Sequence, residues 1–415
     1  MPQFNKFPPF LQQLPPIKTP SFNKYWFILG REPLLSQAEL RAVFCERGEL
    51  VRQQIYRLKN IDDNPKELIN RLGGIIKIAE EVRLDLTKNE LEKNIIEILK
   101  KIKGKIHFGI SYYESTITLK DAQKFGLEIK KQIKNLGRSV RYVQNRELIL
   151  SSAVVKNNKL DNKGIEFLIT DAENKKYNLA VTAAVQPFAK FSRRDYGRPG
   201  RDDFSGLLPP KLAMMMLNLA RIKLNDAILD PFCGSGTILS EALLMGYNHL
   251  TGSDASAKAV EDTKTNLNWL KNNFQFSLRQ ATNNLQPVDV KQCDVDIISS
   301  AVKPASIKAI ITEPYLGRPL KGHETKERLI SQALELKQLY INAFMEFKKI
   351  LKKSGIVIFI IPCFKFKNDW ITIDCLAEIK KLGFTLQPLL PKHDYLLYHR
   401  PGQFLGREIW RFMKI

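Results

Sequence analysis

The segment Asp230-Pro231-Phe232-Cys233-Gly234-Ser235-Gly236-Thr237 constrains this chain more than any other. The apolar run Ala227-Ile228-Leu229 precedes it, and a helical pattern, Ile238 to Met245, follows. The order is strand, tight glycine turn, helix. In an open α/β sheet such a turn lies beyond the carboxyl end of a strand, where ligands bind. Gly234 and Gly236 let the backbone approach a ligand where a Cβ would clash. The helix start offers unpaired N–H groups to a carboxylate or phosphate.

The pattern narrows the ligand. A dinucleotide fingerprint needs a third glycine three residues after the second, and position 239 is Leu. A phosphate-binding loop needs Gly-Lys-Ser/Thr, which does not follow here. An acid, Asp230, ends the strand instead. A carboxylate beside backbone amides suits a ligand with both an ammonium and a carboxylate group, and S-adenosylmethionine has both on its methionyl end. Taken alone, the turn reads equally well as a plain β–α connection with convenient glycines. Three later strand ends shift that balance. Thr251-Gly252-Ser253-Asp254 places a carboxylate roughly 20 residues on, where a ribose diol is bound in nucleotide-binding α/β folds. Cys293-Asp294 ends a third candidate strand, with Asp294 suited to an adenine amino group. The run Ala309-Ile310-Ile311-Thr312 leads into a second turn, Glu313-Pro314-Tyr315-Leu316-Gly317. The cofactor-binding candidates are Asp230, Phe232, Gly234, Gly236, Thr237, Asp254 and Asp294.

Charge points the same way. The 65 Lys and Arg against 43 Asp and Glu give a net charge of +22, which favours a polyanion such as nucleic acid. A lysine-rich solvated surface is the plainer reading of the same composition. The 5 cysteines form no C-x-x-C pair and read as reduced residues of an intracellular protein. Cys233 reads as a small residue of the turn, not a nucleophile. The 5 histidines show no ligand spacing, so no metal is expected. The start of the chain carries no signal-peptide core, and the apolar stretch Gly355 to Phe364 is far short of the roughly 20 residues that span a bilayer. It reads as a buried parallel strand, and no membrane partner is expected.

Residues 1–22, punctuated by Pro8-Pro9 and Pro15-Pro16, read as a flexible tail. Small α/β regions follow over 23–104 and 105–188, with an earlier start of the second, near 65, left open. Ser36 reads as a helix N-cap with Glu39 completing a capping box. Residues 189–210 form a basic linker, where Arg193, Arg194, Arg198 and Arg201 interleave with Phe191 and Tyr196. Guanidinium groups suit phosphates and aromatic faces suit unpaired bases, which makes these arginines RNA-binding candidates. Pairing with local acids is the other reading. Residues 211–415 read as a doubly wound Rossmann-like α/β sheet. A closing hairpin is expected from Tyr395–Tyr398 to Glu408–Phe412.

The chain resembles the THUMP-domain RNA methyltransferases, specifically those that methylate guanine N2 at position 10 of tRNA. The matching segments include Phe27-Ile28-Leu29-Gly30-Arg31-Glu32-Pro33, Ser36-Gln37-Ala38-Glu39-Leu40, Gly137-Arg138-Ser139-Val140-Arg141, Arg194-Asp195-Tyr196-Gly197-Arg198-Pro199 and Gly406-Arg407-Glu408-Ile409. The resemblance covers nearly everything after residue 22. It implies a ferredoxin-like region and a THUMP domain in front, then a class I methyltransferase sheet with one antiparallel strand. It also implies S-adenosylmethionine as cofactor, tRNA as partner and a cytoplasmic location. The oligomeric state and any activator subunit stay open. One departure stands out. The family's catalytic turn is Asp-Pro-Pro-Tyr, and this chain has Glu313-Pro314-Tyr315-Leu316.

Methyl transfer to an exocyclic amine needs no metal, but the nitrogen lone pair is drawn into the ring. Holding both N–H bonds turns it outward, and Glu313 and the Pro314 carbonyl are placed to accept them. Tyr315 is expected either to stack on an extruded base or to pack in the core. Arg318, Lys321 and His323 follow in a polar loop suited to phosphates or to solvent. An N-methyltransferase of rRNA or DNA, and a non-catalytic tRNA-binding protein of the same fold, are the alternatives.

Overall fold

The computed structural model describes residues 24–144, 146–200, 207–274 and 287–415. The expected tail, 1–22, and Arg201 lie outside the described residues. The described chain forms two compact units.

The first unit is built on one eight-stranded sheet. Its strands are β1 (Lys24–Leu29), β2 (Glu49–Arg52), β3 (Ile55–Lys59), β4 (Ile75–Leu86), β5 (Ile106–Tyr113), β6 (Val140–Val143), β7 (Ile165–Asp171) and β8 (Tyr177–Val185), in spatial order β2-β3-β1-β4-β8-β7-β5-β6. The boundary expected near residue 104 falls inside this sheet, because β4 pairs antiparallel with β8 from Lys77↔Val185 to Leu86↔Tyr177. Helices Lys88–Lys100 and Leu119–Asn135 cover one face and bury Leu91, Ile95, Ile129 and Ile133 against Phe108 and Phe167. Thr87 and Glu90 close a capping box at the start of the first of these helices.

The second unit holds Leu34–Glu46, Leu72–Gly74 and Ala189–Ile415. The methyltransferase-like region therefore recruits a helix from far upstream. Leu35, Ala38 and Ala42 of helix Pro33–Val43 join one apolar cluster with Leu212, Met215 and Met216. Ser36 and Glu39 are not a capping box. The helix begins at Pro33, so Ser36 already lies inside it, and its hydroxyl donates to the Gly74 carbonyl at 2.9 Å. Glu39 is 0% exposed and accepts from the Gly73 and Gly74 amides, each at 2.8 Å, and from Asn218 Nδ2 at 2.7 Å. The glycine pair has buried donors to satisfy, and that need outweighs the local capping pattern.

Nine strands form the second sheet: β9 (Ile228–Asp230), β10 (Leu250–Asp254), β11 (Asp289–Gln292), β12 (Ile307–Thr312), β13 (Leu351–Phe366), β14 (Asp369–Ile371), β15 (Phe384–Leu386), β16 (Tyr395–Tyr398) and β17 (Leu405–Lys414). The main path runs β11-β10-β9-β12-β13-β17-β15, parallel from β11 to β13 and antiparallel at β17. As expected, β16 and β17 pair as a hairpin, and β13 is buried from Gly355 to Phe364. One face packs on helices Pro210–Leu219 and Thr237–Met245, the other on the 25-residue helix Lys326–Ile350. The winding direction reverses between β9 and β12, which opens the crevice where such sheets bind ligands. Among the described residues, no helix is long and apolar enough to cross a membrane.

Candidate active site

The glycine turn sits at that reversal. β9 delivers Asp230, and the Cys233 amide bonds the Ser253 carbonyl of β10 at 2.9 Å, which pins the turn over its neighbour strand. Gly234 has φ +51° and Gly236 φ +79°, in the left-handed region that favours glycine. A Cβ on Gly234 would meet nothing within 4 Å, so the backbone there borders open space. A Cβ on Gly236 would lie 2.9 Å from Thr263 Cγ2. One glycine thus leaves room for a ligand, and the other lets a helix approach. From helix Ala257–Asn273, Thr263 donates to the Gly234 carbonyl at 2.7 Å and Asn266 to the Ser235 carbonyl at 2.8 Å. These bonds hold the turn in shape. Phe232 packs against the cluster on the sheet's other face. Burial pushes the Cys233 thiol well above its usual range, which suits a packing residue and not a nucleophile.

Acids end neighbouring strands along the crevice. Asp254 accepts from the Gly234 amide at 3.0 Å and the Ser256 amide at 2.9 Å, so its carboxylate is fixed at the rim. Asp294 is exposed just past β11 and caps Asp296 at 3.0 Å. Asp230 is 2% exposed, with the Thr312 hydroxyl at 2.7 Å and a long contact from the Phe232 amide at 3.4 Å. Its pKa is pushed up to about 7, first by burial and then by the negative charges of Asp254 and Glu313. A buried carboxylate so thinly partnered, beside two more acids, can receive a cation. Together with the open space at Gly234, this fits the ammonium end of S-adenosylmethionine.

Glu313 follows β12. Its Oε1 accepts from Arg407 Nε of β17 at 2.6 Å, with side-chain exposures of 13% and 10%. Pro314 is buried, while Tyr315 is 53% exposed and its carbonyl accepts from the Tyr340 hydroxyl at 2.8 Å. Core packing does not describe Tyr315; the neighbouring Leu316 takes that place against the apolar cluster. Gly317, at φ +93°, turns the chain back toward Gln332, whose Oε1 accepts from the Arg318 amide at 3.1 Å.

The linker arginines behave differently from expectation. Arg194 is 8% exposed and clamps Glu241 with two bonds of 2.6 and 3.0 Å, its guanidinium 4.4 Å from the Phe191 ring centre. Arg198 is 6% exposed and donates to the Thr237 hydroxyl at the helix start. Both point into the protein, where satisfying buried groups outweighs reaching for phosphate. Thr237 is correspondingly part of the frame beneath the turn. Arg193 alone of the described three is exposed, and it donates to Asn273 Oδ1 at 2.5 Å. The linker is also latched to the turn through Asn266, which bonds the Gly200 amide at 2.8 Å and the Gly200 carbonyl at 2.7 Å. Thr312, Arg407, Asn266 and Glu241 were not candidates from sequence. Glu241, a lone charge in the apolar helix Thr237–Met245, carried the one local signal of a buried partner.

The arrangement can hold a cationic cofactor against Asp230 and present a fixed carboxylate, Glu313, across the same crevice. Comparison with known proteins bears on the family and the fold. The UPF0020 family, described as "RMKL-like, methyltransferase domain", matches residues 198–366, and a DNA methylase family matches residues 60–265. The crystal structure of TrmN from Thermus thermophilus shares this fold, with a TM-score of 0.53 at 15% identity, covering 94% of this chain and 100% of that one. The tRNA (guanine(10)-N2)-dimethyltransferase of Pyrococcus abyssi (strain GE5 / Orsay) is 26% identical over 323 residues, 75% of this chain and 83% of that protein. A protein of Methanothermococcus thermolithotrophicus named "Probable tRNA (guanine(10)-N2)-dimethyltransferase" is 30% identical over 152 residues, 36% of this chain and 78% of its own length. Matches to two further relatives of that name span 19% and 29% of their lengths. Crevice, paired turns and relatives converge: the chain belongs to the tRNA (guanine(10)-N2)-dimethyltransferase family.

Proposed function

We propose that this protein methylates the exocyclic N2 amine of a guanine in tRNA, at position 10, using S-adenosylmethionine. The observation that carries this reading is the facing pair of turns at the sheet's reversal, with Asp230 on β9 and Glu313 after β12. The relatives supply the substrate, since their names specify guanine 10 of tRNA.

Asp230 binds the ammonium of the cofactor, the Gly234–Gly236 backbone its carboxylate, Asp254 its ribose and Asp294 its adenine. When bound, the cofactor supplies an electrophilic methyl group on a sulfonium. Glu313 then acts on the guanine. Arg407 engages Oε1, so Oε2 is the oxygen that accepts one N2 hydrogen, and the Pro314 carbonyl accepts the other. With both N–H bonds held, the lone pair is turned toward the methyl carbon, and the gain is orientation. The surplus proton of the methylated amine would pass to water by way of Glu313. Tyr315, exposed beside Glu313, stacks on the extruded base. The first unit serves as the THUMP-containing tRNA-binding part, and Arg193 is the described linker arginine open to RNA.

Incubating the full chain with methyl-labelled cofactor and tRNA transcripts tests this. Label should enter a transcript with guanine at position 10 and be lost when that base is replaced by adenine. Equal labelling of both transcripts would refute the site.

A further inference from the structure

We propose that Arg407 is the positioning residue for Glu313, so that the longer carboxylate and the arginine work as one unit. The inference rests on the methyltransferase reading above and adds a residue from a distant strand. Glu313 has one more rotatable bond than an aspartate, and each added rotamer costs entropy when a single geometry is required. The Arg407 guanidinium removes that freedom with a 2.6 Å charge-assisted bond to Oε1. Both side chains are nearly enclosed, at 10% and 13% exposure, so solvent screens the pair little.

The placement is unusual for a strand residue. β12 and β17 are not neighbours, because β13 lies between them. Arg407 sits opposite Pro362 of β13 and reaches across that strand to the turn after β12. The next residue, Glu408, follows the alternation of the strand and accepts from Trp410 Nε1 at 3.1 Å instead. Arg407 thus turns toward the crevice and not to the acid beside it.

Charge gives a second reason. Asp230, Asp254 and Glu313 bring three carboxylates to one crevice, and the last two already push the Asp230 pKa upward. Arg407 offsets that accumulation at the carboxylate nearest the substrate. Beyond burial, the groups acting on Asp230 are the Thr312 hydroxyl and the Phe232 amide, which favour its charged form, and the Asp254 and Glu313 carboxylates, which oppose it; Glu313 in turn is paired with Arg407.

The test uses the full chain with Arg407→Met and Arg407→Lys, each read in two ways. Turnover on tRNA should fall roughly tenfold or more in Arg407→Met, in kcat with little change in KM for the cofactor, and should be partly restored in Arg407→Lys. Calorimetric titration of the cofactor against pH needs no turnover. There the midpoint should move upward in Arg407→Met, since the Glu313 charge that raises the Asp230 pKa has then lost its paired cation. Combining Arg407→Met with Glu313→Asp should cost less than the sum of the two, as for residues of one unit. Unchanged kcat and unchanged pH profiles in either folded variant would overturn the proposal. Should Arg407→Met not fold, Arg407→Lys decides alone, and wild-type kcat with an unshifted profile overturns it. Wild-type protein inactive on tRNA would defeat the functional reading, while the calorimetric profile would still decide the role of Arg407.

Discussion

Each unit buries a carboxylate in its sheet, and the two are treated very differently. In the first unit Glu166 is 0% exposed and accepts from Lys77 at 2.5 Å, Ser111 at 2.6 Å and Thr182 at 2.6 Å. Lys77 in turn donates to the Leu150 carbonyl at 2.7 Å. Every partner is supplied by the chain, and the network ties β4, β5, β7 and β8 together. In the second unit Asp230 is equally hidden but has one hydroxyl at 2.7 Å and one long amide contact at 3.4 Å, with like charges nearby. A saturated buried charge holds a fold together. An undersupplied one at the carboxyl end of a parallel strand is a candidate binding group.

The contrast can be broken by exchanging the outcomes. Lys77→Met leaves Glu166 buried without its cation and should cost about 3–5 kcal/mol of stability, seen by thermal or denaturant unfolding. Cofactor affinity of the surviving folded protein should be unchanged; a large loss of affinity would put Lys77 in the chemistry. Asp254→Ala should do the reverse. Unfolding should move less than in Lys77→Met, by the loss of the Gly234 and Ser256 amide bonds, while cofactor affinity falls by about 1–3 kcal/mol, as for a lost hydrogen bond to a charged group. Wild-type affinity in that variant would remove Asp254 from the ribose site.

Smaller effects sharpen the comparison. Glu313→Asp, with Arg407 out of reach, should keep cofactor affinity and lose roughly tenfold in methylation rate. Full activity would show that the extra methylene is not used. The pH dependence of Asp230 gives a finer reading. Its folded pKa, about 7, lies above the ordinary 3.8. The folded protein therefore holds this proton more tightly than the unfolded chain, and the contribution of Asp230 to stability declines as pH rises from about 4 to about 7. A bound ammonium requires the ionised form. Cofactor affinity should accordingly fall by up to about tenfold per unit as pH drops below 7. A flat affinity between pH 5 and 8 would place the ammonium elsewhere.

Much of the second unit was legible because its signals are local. The strand–turn–helix around Asp230, the acids at successive strand ends and the closing hairpin all lie within short windows. Periodicity and turn chemistry specify such windows. What escaped detection depends on partners far along the chain. Glu39 looked like a cap because Ser36 precedes it, yet its partners are Gly73, Gly74 and Asn218. Arg194 and Arg198 have the local pattern of phosphate ligands, but Glu241 and Thr237 lie beneath them. Arg407 meets Glu313 over a strand that lies between them. The local pattern suggests a division near residue 104, but long-range pairing of β4 with β8 joins both sides.

The central claim is that Glu313 orients a guanine amine for methyl transfer. Nucleoside mass spectrometry of a tRNA transcript tests it most directly, after a single turnover with wild-type protein and with Glu313→Gln at matched cofactor occupancy. The account predicts N2-methylguanosine at position 10 from the wild type, formed roughly 10²-fold or more slowly by the variant. Equal rates, or methyl groups on another atom, would contradict it.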